Sequence, residues 1–262
     1  MKKITVLGAL MLLPMFAFAE GLTAYEIASR AYNQESGKTS FYEASLTIQA
    51  KSGGSRVREI SLRKKLYDGV KKTLITFSAP KEVAGVAYLS FEYDSKKADA
   101  KESENWLYMP AMKKVRRISG SSRQDDFMGS DFTYEDIGDR GLNKDNFTLM
   151  GEEKVEGADC WKLDCAAKDS SEKIPRRILW VRKDNYILQK VQLFDQRGEL
   201  QRELVCSDIK QVDGFWTVNK MVMTNVQTGH FSTIQMKSLK HNIDLSDNLF
   251  TVSSIHSGGS KW

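Results

Sequence analysis

Apolar and polar residues alternate along most of this chain, which is the pattern of β-strands that bury one face. The alternation is clear at residues 41–50 and 57–67, and it recurs at regular spacing as far as residues 230–243. Short turn sequences such as Glu156-Gly157 separate the strands. The spacing predicts a mainly β protein, with one antiparallel sheet of about eleven strands that curls into a barrel or an unclosed half-barrel.

One helix precedes the strands. Thr23 and Glu26 have the spacing of a capping box, in which each residue satisfies a free backbone N–H of the other. Apolar residues at positions 24, 27, 28, 31 and 32 then recur at helical spacing. The sequence therefore predicts an N-terminal amphipathic helix over residues 23–33.

Large apolar residues at alternate positions indicate which face of the sheet is buried. A curved sheet of this width either encloses a cavity or is plugged by a helix, and the N-terminal helix and residues 110–145 are candidate lids. An apolar cavity would accept acyl chains, since each buried methylene contributes roughly 0.8 kcal/mol. Ordinary core packing is the alternative for each residue. The predicted cavity wall comprises Ile75, Phe77, Leu89, Phe91, Trp106, Tyr108, Trp161, Leu163, Leu179 and Val181.

Residues 105–137 join an aromatic strand, a basic cluster and an acidic, aromatic loop. Pro110 bends the chain, and residues 115–119 are predicted to extend the fifth strand beyond this bend. The basic cluster has three interpretations: a solvated strand edge protected from aggregation, a docking surface for a membrane or for an acidic patch on a transporter, and, least favoured, a nucleic-acid site.

The same segment offers an internal ion pair. We expect Arg116 or Arg117 to pair with Asp131 or Glu135, which would fix the acidic loop at the cavity mouth. The carboxylates lack the alternating spacing of a calcium loop. The predicted loop and docking residues are Lys113, Lys114, Arg116, Arg117, Asp131, Phe132, Tyr134 and Glu135.

The first residues have the order of an export signal. Lys2 and Lys3 are followed by an apolar run at residues 4–16 and by the small-residue motif Ala17-Phe18-Ala19. The apolar run is short for a membrane span, so an uncleaved anchor helix is the weaker alternative. We predict a signal peptide over residues 1–19, cleavage after Ala19, and export of a single domain, residues 20–262, to the periplasm.

Composition narrows the class of partner. Hydrophobic residues make up 41% of the chain, enough for a large core, and the formal net charge is +5. Positive and negative residues are mixed along the chain, which does not indicate a nucleic-acid partner. A mild positive charge does suit transient contact with a membrane surface that carries anionic head groups.

The cysteines and histidines predict neither a metal site nor a cofactor site. Cys160 and Cys165 are five residues apart in one predicted strand, so they lie on opposite faces. A disulfide between Cys165 and Cys206 and a set of buried free thiols are both open. His230, His241 and His256 have irregular spacing, which does not suit zinc.

Catalysis has little support, and we expect no catalytic residues. The chain has no G-x-S-x-G elbow, and residues 105–137 contain no histidine. Two other classes remain open. A lipid-ester hydrolase could use Glu135 and Asp136 near Arg117, and an envelope protein without cargo could bind a partner through its sheet edge.

Residues 106–137 resemble the characteristic block of the outer membrane lipoprotein-sorting proteins, which have the LolA/LolB-like fold of periplasmic lipoprotein carriers. The positions that carry the likeness are Trp106, Pro110, Lys114, Val115, Arg116, Arg117, Phe127, Met128, Gly129, Asp131, Phe132, Tyr134 and Glu135.

This resemblance implies an unclosed antiparallel half-barrel with an N-terminal helix and a helical or loop lid over a hydrophobic cavity. It implies a periplasmic carrier that shuttles the acyl chains of a lipid or lipoprotein between the inner and outer membranes without catalysis. It also implies an inner-membrane exporter of the RND type as partner. The cargo stays open among a phospholipid, a hopanoid-like lipid and a lipoprotein.

Overall fold

The N-terminal helix forms where the capping box predicted it. The computed structural model describes residues 21–94, 101–138 and 140–256, so the predicted signal peptide, residues 1–19, lies outside the described residues. Helix α1 spans Ala24–Tyr32, and both halves of the capping box between Thr23 and Glu26 are present. Its buried side chains, Ile27, Ala28 and Ala31, face the sheet.

The predicted antiparallel sheet is confirmed, with thirteen strands in the part of the chain that the structure describes. Strands β1 to β6 and strands β7 to β13 each form a meander, and β1 pairs with β13 to join the two halves. The strands are β1 Thr39–Gln49, β2 Ser55–Tyr67, β3 Val70–Ala79, β4 Ala87–Tyr93, β5 Glu104–Met109, β6 Lys114–Ile118, β7 Asp145–Val155, β8 Ala158–Ala167, β9 Arg176–Arg182, β10 Leu188–Phe194, β11 Leu200–Val212, β12 Phe215–Asn225 and β13 His230–His241.

The sheet does not close on itself. Its order runs from β6 through β1 and β13 to β7, so that β6 and β7 are its two edges. An unclosed sheet needs other elements to cover its apolar faces. This requirement explains why both faces of the sheet carry additional segments.

The region after Pro110 differs from the prediction. Residues 115–119 were expected to extend the fifth strand, but β6 instead turns back and pairs antiparallel with β5. Pro110 begins a short 3-10 turn, and Lys113 adopts a left-handed conformation with φ of 50°. These two features reverse the chain direction, and this hairpin is one reason for the higher strand count.

The two faces of the sheet have separate cores. The inner face, as we call it, packs against α1 and against the lid segment, residues 119–138 and 140–144, through buried residues such as Phe127 and Phe132. The lid segment consists of short turns and one helical turn, α2 (Tyr134–Ile137). Near β3 to β6 the outer face is covered by the C-terminal segment, where Leu245, Phe250 and the helix α3 (Val252–His256) pack.

Within the described ranges, no helix combines the length and the apolar character needed to cross a bilayer.

Candidate functional site

A cavity of about 1510 Å³ lies between the inner face of the sheet, the lid segment and the end of α1. This volume exceeds the roughly 300–1,000 Å³ of most small-molecule pockets. The sheet contributes apolar wall residues from both of its halves, among them Ala44, Ile60, Leu62, Met221, Ile234 and Met236. The lid segment adds Phe127 and Phe132 on the opposite side.

Strand register explains why these apolar residues meet. Ala44 of β1 lies opposite Ile60 of β2 on one side and opposite Met236 of β13 on the other. Because side chains alternate between faces along a strand, residues two positions apart share the inner face. Strands β1, β2 and β13, which are adjacent in the middle of the sheet, therefore build one continuous apolar wall.

The structure places six of the ten predicted wall residues in the inner core. Ile75 lines the cavity itself. The other five pack in the inner core without bounding the cavity; they are Phe77, Trp161, Leu163, Leu179 and Val181. Trp161, for example, stacks on Tyr186 with ring centroids 5.4 Å apart. Contact of these residues with a lipid stays a prediction.

The remaining four, Leu89, Phe91, Trp106 and Tyr108, lie on the outer face, so their predicted place in the cavity wall is corrected. Phe91 packs against Trp106, with ring centroids 4.9 Å apart, and the C-terminal segment covers this cluster.

The physical reason is that β4 and β5 are apolar on both faces. Tyr88 and Leu107 face inward, while the large residues next to them face outward. In such strands alternation alone does not indicate which set of side chains is inside.

Asp131 ties the lid segment to the sheet. Its carboxylate lies 2.8 Å from Nδ1 of His230 and accepts a 2.6 Å hydrogen bond from the Ser232 hydroxyl. Both partners belong to β13. Arg202 of β11 donates to the backbone carbonyl of Asp131 at 2.9 Å and also pairs with Asp136. The acidic loop is therefore anchored directly onto the inner face.

Glu135 belongs to a buried ionic network at the end of the lid segment. Arg140 donates two hydrogen bonds to Asp145, at 2.7 and 2.8 Å, and lies 3.1 Å from Glu135. Arg140 also lies 2.8 Å from Glu172, and Arg177 of β9 lies 3.4 Å from Glu135. Burial alone would lower the pKa of Arg140, but its hydrogen bonds with Asp145 and Glu172 outweigh this effect and raise that pKa.

The predicted pairing of Arg116 or Arg117 with Asp131 or Glu135 is therefore wrong. Arg117 lies on the outer side of the edge strand β6, where it pairs with Glu104 at 3.2 Å. Lys113, Lys114 and Arg116 are exposed along the same edge. The carboxylates are buried against other arginines instead, because the lid segment folds onto the inner face while β6 remains at the rim.

The two predicted aromatic residues of the loop are buried as well. Phe132 lines the cavity, and Tyr134 packs edge-on against Phe127 at a centroid distance of 5.4 Å. Tyr134 also lies 5.6 Å from the ring of Tyr88 on β4. These rings hold the lid segment against the sheet.

Sequence reasoning did not identify the arginines that hold the lid. One of them carried a signal: Arg177 shares a face with Leu179 and Val181, both predicted to be buried. A charged residue on a predicted buried face needs a buried partner, and this requirement could have pointed to the network. Arg140 and Arg202 had no comparable signal.

The structure decides between a Cys165–Cys206 disulfide and buried free thiols. Cys160, Cys165 and Cys206 are all buried free thiols. Burial raises the pKa of the Cys206 thiol to about 12 and also raises the pKa of Cys165. These thiols therefore fill space in the core as small apolar groups.

One serine–histidine contact lies at the cavity but is not arranged for nucleophilic catalysis. The Ser40 hydroxyl lies 3.3 Å from Nδ1 of His241, and it donates to the Ser36 carbonyl at 2.9 Å. The same Nδ1 lies 2.7 Å from that carbonyl, which only accepts hydrogen bonds. Nδ1 therefore carries a proton and cannot act as the base for Ser40.

Comparison with known proteins identifies relatives over nearly the whole described chain. A family model with the description "Uncharacterized protein" matches residues 69–257. A DUF1329 family protein from Desulfovibrio piger is 31% identical with a TM-score of 0.82, and the match covers 88% of this chain and 97% of that one. A structure from Vibrio parahaemolyticus, assigned as an outer membrane lipoprotein-sorting protein domain, is 29% identical with a TM-score of 0.81, covering 89% and 98% of the two chains.

A LolA superfamily protein from Nitrosomonas europaea shares the fold, with 18% identity, a TM-score of 0.69, and coverage of 89% of this chain and 99% of that one. The comparison with curated proteins gave no match.

Proposed function

Since the chain belongs to the DUF1329 family and has the LolA-like fold of the outer membrane lipoprotein-sorting proteins, we propose that it is a periplasmic carrier. In this proposal the cavity holds the acyl chains of a lipid or lipoprotein while the protein moves them between the inner and outer membranes. The carriage involves no catalytic step.

The observation that carries this proposal is the apolar cavity of about 1510 Å³ on the inner face. Its wall combines side chains from β1, β2, β12 and β13 with the aromatic side chains of the lid segment. Transfer of an acyl chain from water into such a wall is favourable by roughly 0.8 kcal/mol for each buried methylene. A chain of ordinary length therefore gains enough free energy to be held during transit.

A matched pair of variants tests the cavity. Met221 lines it, whereas its neighbour Val222 points to the outer face of the same strand. We expect Met221→Glu to abolish binding of a fluorescent fatty acid, because it places a charge in the apolar wall. Val222→Glu, with the same added charge, is expected to bind normally. Equal binding of the fatty acid by both folded variants would show that the cavity is not its binding site.

Native mass spectrometry and lipid extraction of the purified protein provide a second test. Co-purifying lipid supports a carrier, and turnover of an ester substrate would instead support a hydrolase. A protein that neither binds nor hydrolyses lipid would be an envelope protein that acts through its partners.

Export rests on the first nineteen residues. We propose cleavage after Ala19, and N-terminal sequencing of the mature protein checks it. Retention of Met1 would contradict the proposed release into the periplasm.

The basic edge formed by Lys113, Lys114, Arg116 and Arg117 is the proposed docking surface. Exposed cations on an edge strand favour contact with anionic head groups or with an acidic patch of an inner-membrane RND-type exporter. Lys113→Gln is expected to weaken binding to anionic vesicles at low salt and to have little effect at high salt, because exposed charges are screened. Salt-independent binding would exclude this role. Affinity capture of the exporter from detergent-solubilised inner membranes tests the protein partner.

A further inference from the structure

The inner face of the sheet changes from apolar to polar at one row of residues. Strand register aligns one residue from each of six adjacent strands in this row: His241, Ser40, Lys64, Thr73, Ser90 and Asn105. The neighbouring row on the same face is apolar and aromatic, with Tyr42, Leu62, Ile75, Tyr88 and Leu107. The cavity therefore has an apolar part and a polar end.

Three residues of the polar row line the cavity, namely Ser40, Lys64 and His241. They sit on three adjacent strands, with Ser40 directly opposite both Lys64 and His241. Adjacent strands are about 4.8 Å apart, so the backbones of Lys64 and His241 are on the order of 10 Å apart. Tyr42 lies beside both side chains, its ring 5.8 Å from Nζ of Lys64 and 6.1 Å from the His241 ring.

Lys64 supplies a positive charge at this end. It is half-buried, and among the described residues it pairs with no carboxylate. The neighbouring charges are cancelled within the protein: Lys71 pairs with Glu92 at 2.7 Å, and Lys65 pairs with Asp247 at 2.7 Å. Four other acidic residues near this rim, Glu35, Asp68, Asp94 and Asp213, are exposed, where solvent screens them. The Asp213 carboxylate also accepts a 3.0 Å hydrogen bond from the backbone N–H of His241.

His241 supplies a hydrogen-bonding atom without a partner. The side chain is buried, and its Nε2 has no hydrogen-bond partner among the described residues. Nδ1 donates to the Ser36 carbonyl, so Nε2 of the neutral ring carries the lone pair and accepts a hydrogen bond. A buried polar atom left unpaired in this way is costly. Nε2 is covered in the unliganded protein, but His241 lines the cavity, so a small rotation of its ring would let the hydroxyl group of a ligand satisfy Nε2.

We propose that this polar end binds the head group of a phospholipid that carries both a negative phosphodiester and a free hydroxyl, as phosphatidylglycerol does. The phosphodiester contacts Lys64, and a head-group hydroxyl donates to Nε2 of His241. The acyl chains occupy the apolar part of the cavity. This assignment rests on the proposed carrier function and names the class of cargo.

Displacement of a fluorescent fatty acid from the full-length mature protein tests the assignment with three dioctanoyl lipids. Phosphatidylglycerol has the phosphodiester and the head-group hydroxyls, phosphatidylmethanol has the same phosphodiester without a hydroxyl, and dioctanoylglycerol has no phosphate. We expect the unmodified protein to prefer phosphatidylglycerol to dioctanoylglycerol by about tenfold, the size of one charge-assisted hydrogen bond. We expect a smaller preference for phosphatidylglycerol over phosphatidylmethanol.

Each variant addresses one of these preferences. Lys64→Met should remove the preference for phosphatidylglycerol over dioctanoylglycerol, and Lys64→Arg should keep it. His241→Phe keeps a ring against Tyr42 and Phe215 and should remove the preference over phosphatidylmethanol. Lys220→Met is the matched control, because Lys220 is exposed on the outer face.

The outcomes separate this assignment from the carrier function. Binding of all three lipids with equal affinity, or an unchanged preference in Lys64→Met, would overturn the head-group assignment and leave the carrier function intact. Failure of every lipid to displace the fatty acid, or failure of the fatty acid to bind, would overturn the carrier function itself. Competition by glycerol 1-phosphate as strong as that by phosphatidylglycerol would show a site for a soluble phosphate compound and would also overturn the assignment.

Discussion

The basic and acidic halves of residues 113–136 look complementary in the sequence but have opposite environments in the fold. The side chain of Arg117 is 59% exposed on the edge strand β6. The side chains of Asp131 and Glu135, in the lid segment, are only 7% and 9% exposed. Opposite charges that are neighbours in a sequence therefore need not pair, because the partner of each charged residue depends on its burial and on its position in the sheet.

The basic and acidic halves of residues 113–136 are subject to different physical requirements. An edge strand exposes unpaired backbone groups, and cations along it oppose association with other strands. A buried carboxylate must be paired, because an isolated charge in the core is strongly unfavourable. The lid segment meets this requirement with its own Arg140 and with two arginines from the sheet, Arg177 of β9 and Arg202 of β11.

The largest effect that would test this contrast is expected at Arg140. Arg140→Met leaves Asp145, Glu135 and Glu172 without their main partner and should lower the free energy of unfolding by about 3–5 kcal/mol. Arg176→Met is the control, since its pair with Asp164 lies at the surface and should contribute about 0–1 kcal/mol. Chemical denaturation measures both. Equal losses would mean that burial does not distinguish the two pairs.

A smaller effect is expected for the anchor of the lid segment on β13. Asp131→Asn weakens the contacts with His230 and Ser232 and should cost about 1–3 kcal/mol, the range for a buried hydrogen bond to a charged group. It should also speed proteolytic cleavage within the lid segment. Asp125→Asn is the matched control, because Asp125 pairs with Lys173 at the surface. If Asp131→Asn is as stable to denaturant and protease as the unmodified protein, Asp131 does not hold the lid segment on β13.

Loss of Arg117, in the exposed basic half, should have only a small effect on stability. Arg117→Ala removes an exposed pair with Glu104 and should change the free energy of unfolding by less than about 0.5 kcal/mol. The same denaturation experiment measures it. A loss several times larger would indicate that Arg117 contacts a buried carboxylate in solution.

The smallest effect is expected when the folded protein is treated with a reagent that alkylates cysteine thiols. Cys206 has a pKa of about 12, raised by burial, so it remains protonated at pH 8 and is a poor nucleophile. We expect negligible alkylation by iodoacetamide in the folded protein and complete alkylation after denaturation, as read by mass spectrometry. Rapid labelling of the native protein would show that the core opens more readily than its burial indicates.

The sequence alone determined the class of fold and most of its elements. The capping box and helical spacing predicted the helix at Thr23, and period-two alternation with turn residues predicted an antiparallel sheet, curled into a barrel or a half-barrel; all of these are local signals. The family resemblance of residues 106–137 predicted that the sheet is unclosed and has the LolA-like arrangement.

For Trp161 and Leu163, alternation also indicated the inner face, because the neighbouring positions Lys162 and Asp164 are polar. Strand β9 is apolar on both faces, since Ile178 and Trp180 alternate with Leu179 and Val181. Pairing with β8 places Leu179 and Val181 on the inner face.

Only the tertiary structure decided which side of β4 and β5 faces inward and which charges meet. Leu89 and Trp106 alternate as wall residues should, but the C-terminal segment covers their face, and this packing involves residues more than a hundred positions away. Asp131 likewise finds His230 across 99 positions. Lys64, Ser40 and His241 form one polar row only after β1 pairs with both β2 and β13. Such contacts depend on long-range strand register, which no local pattern in the sequence specifies.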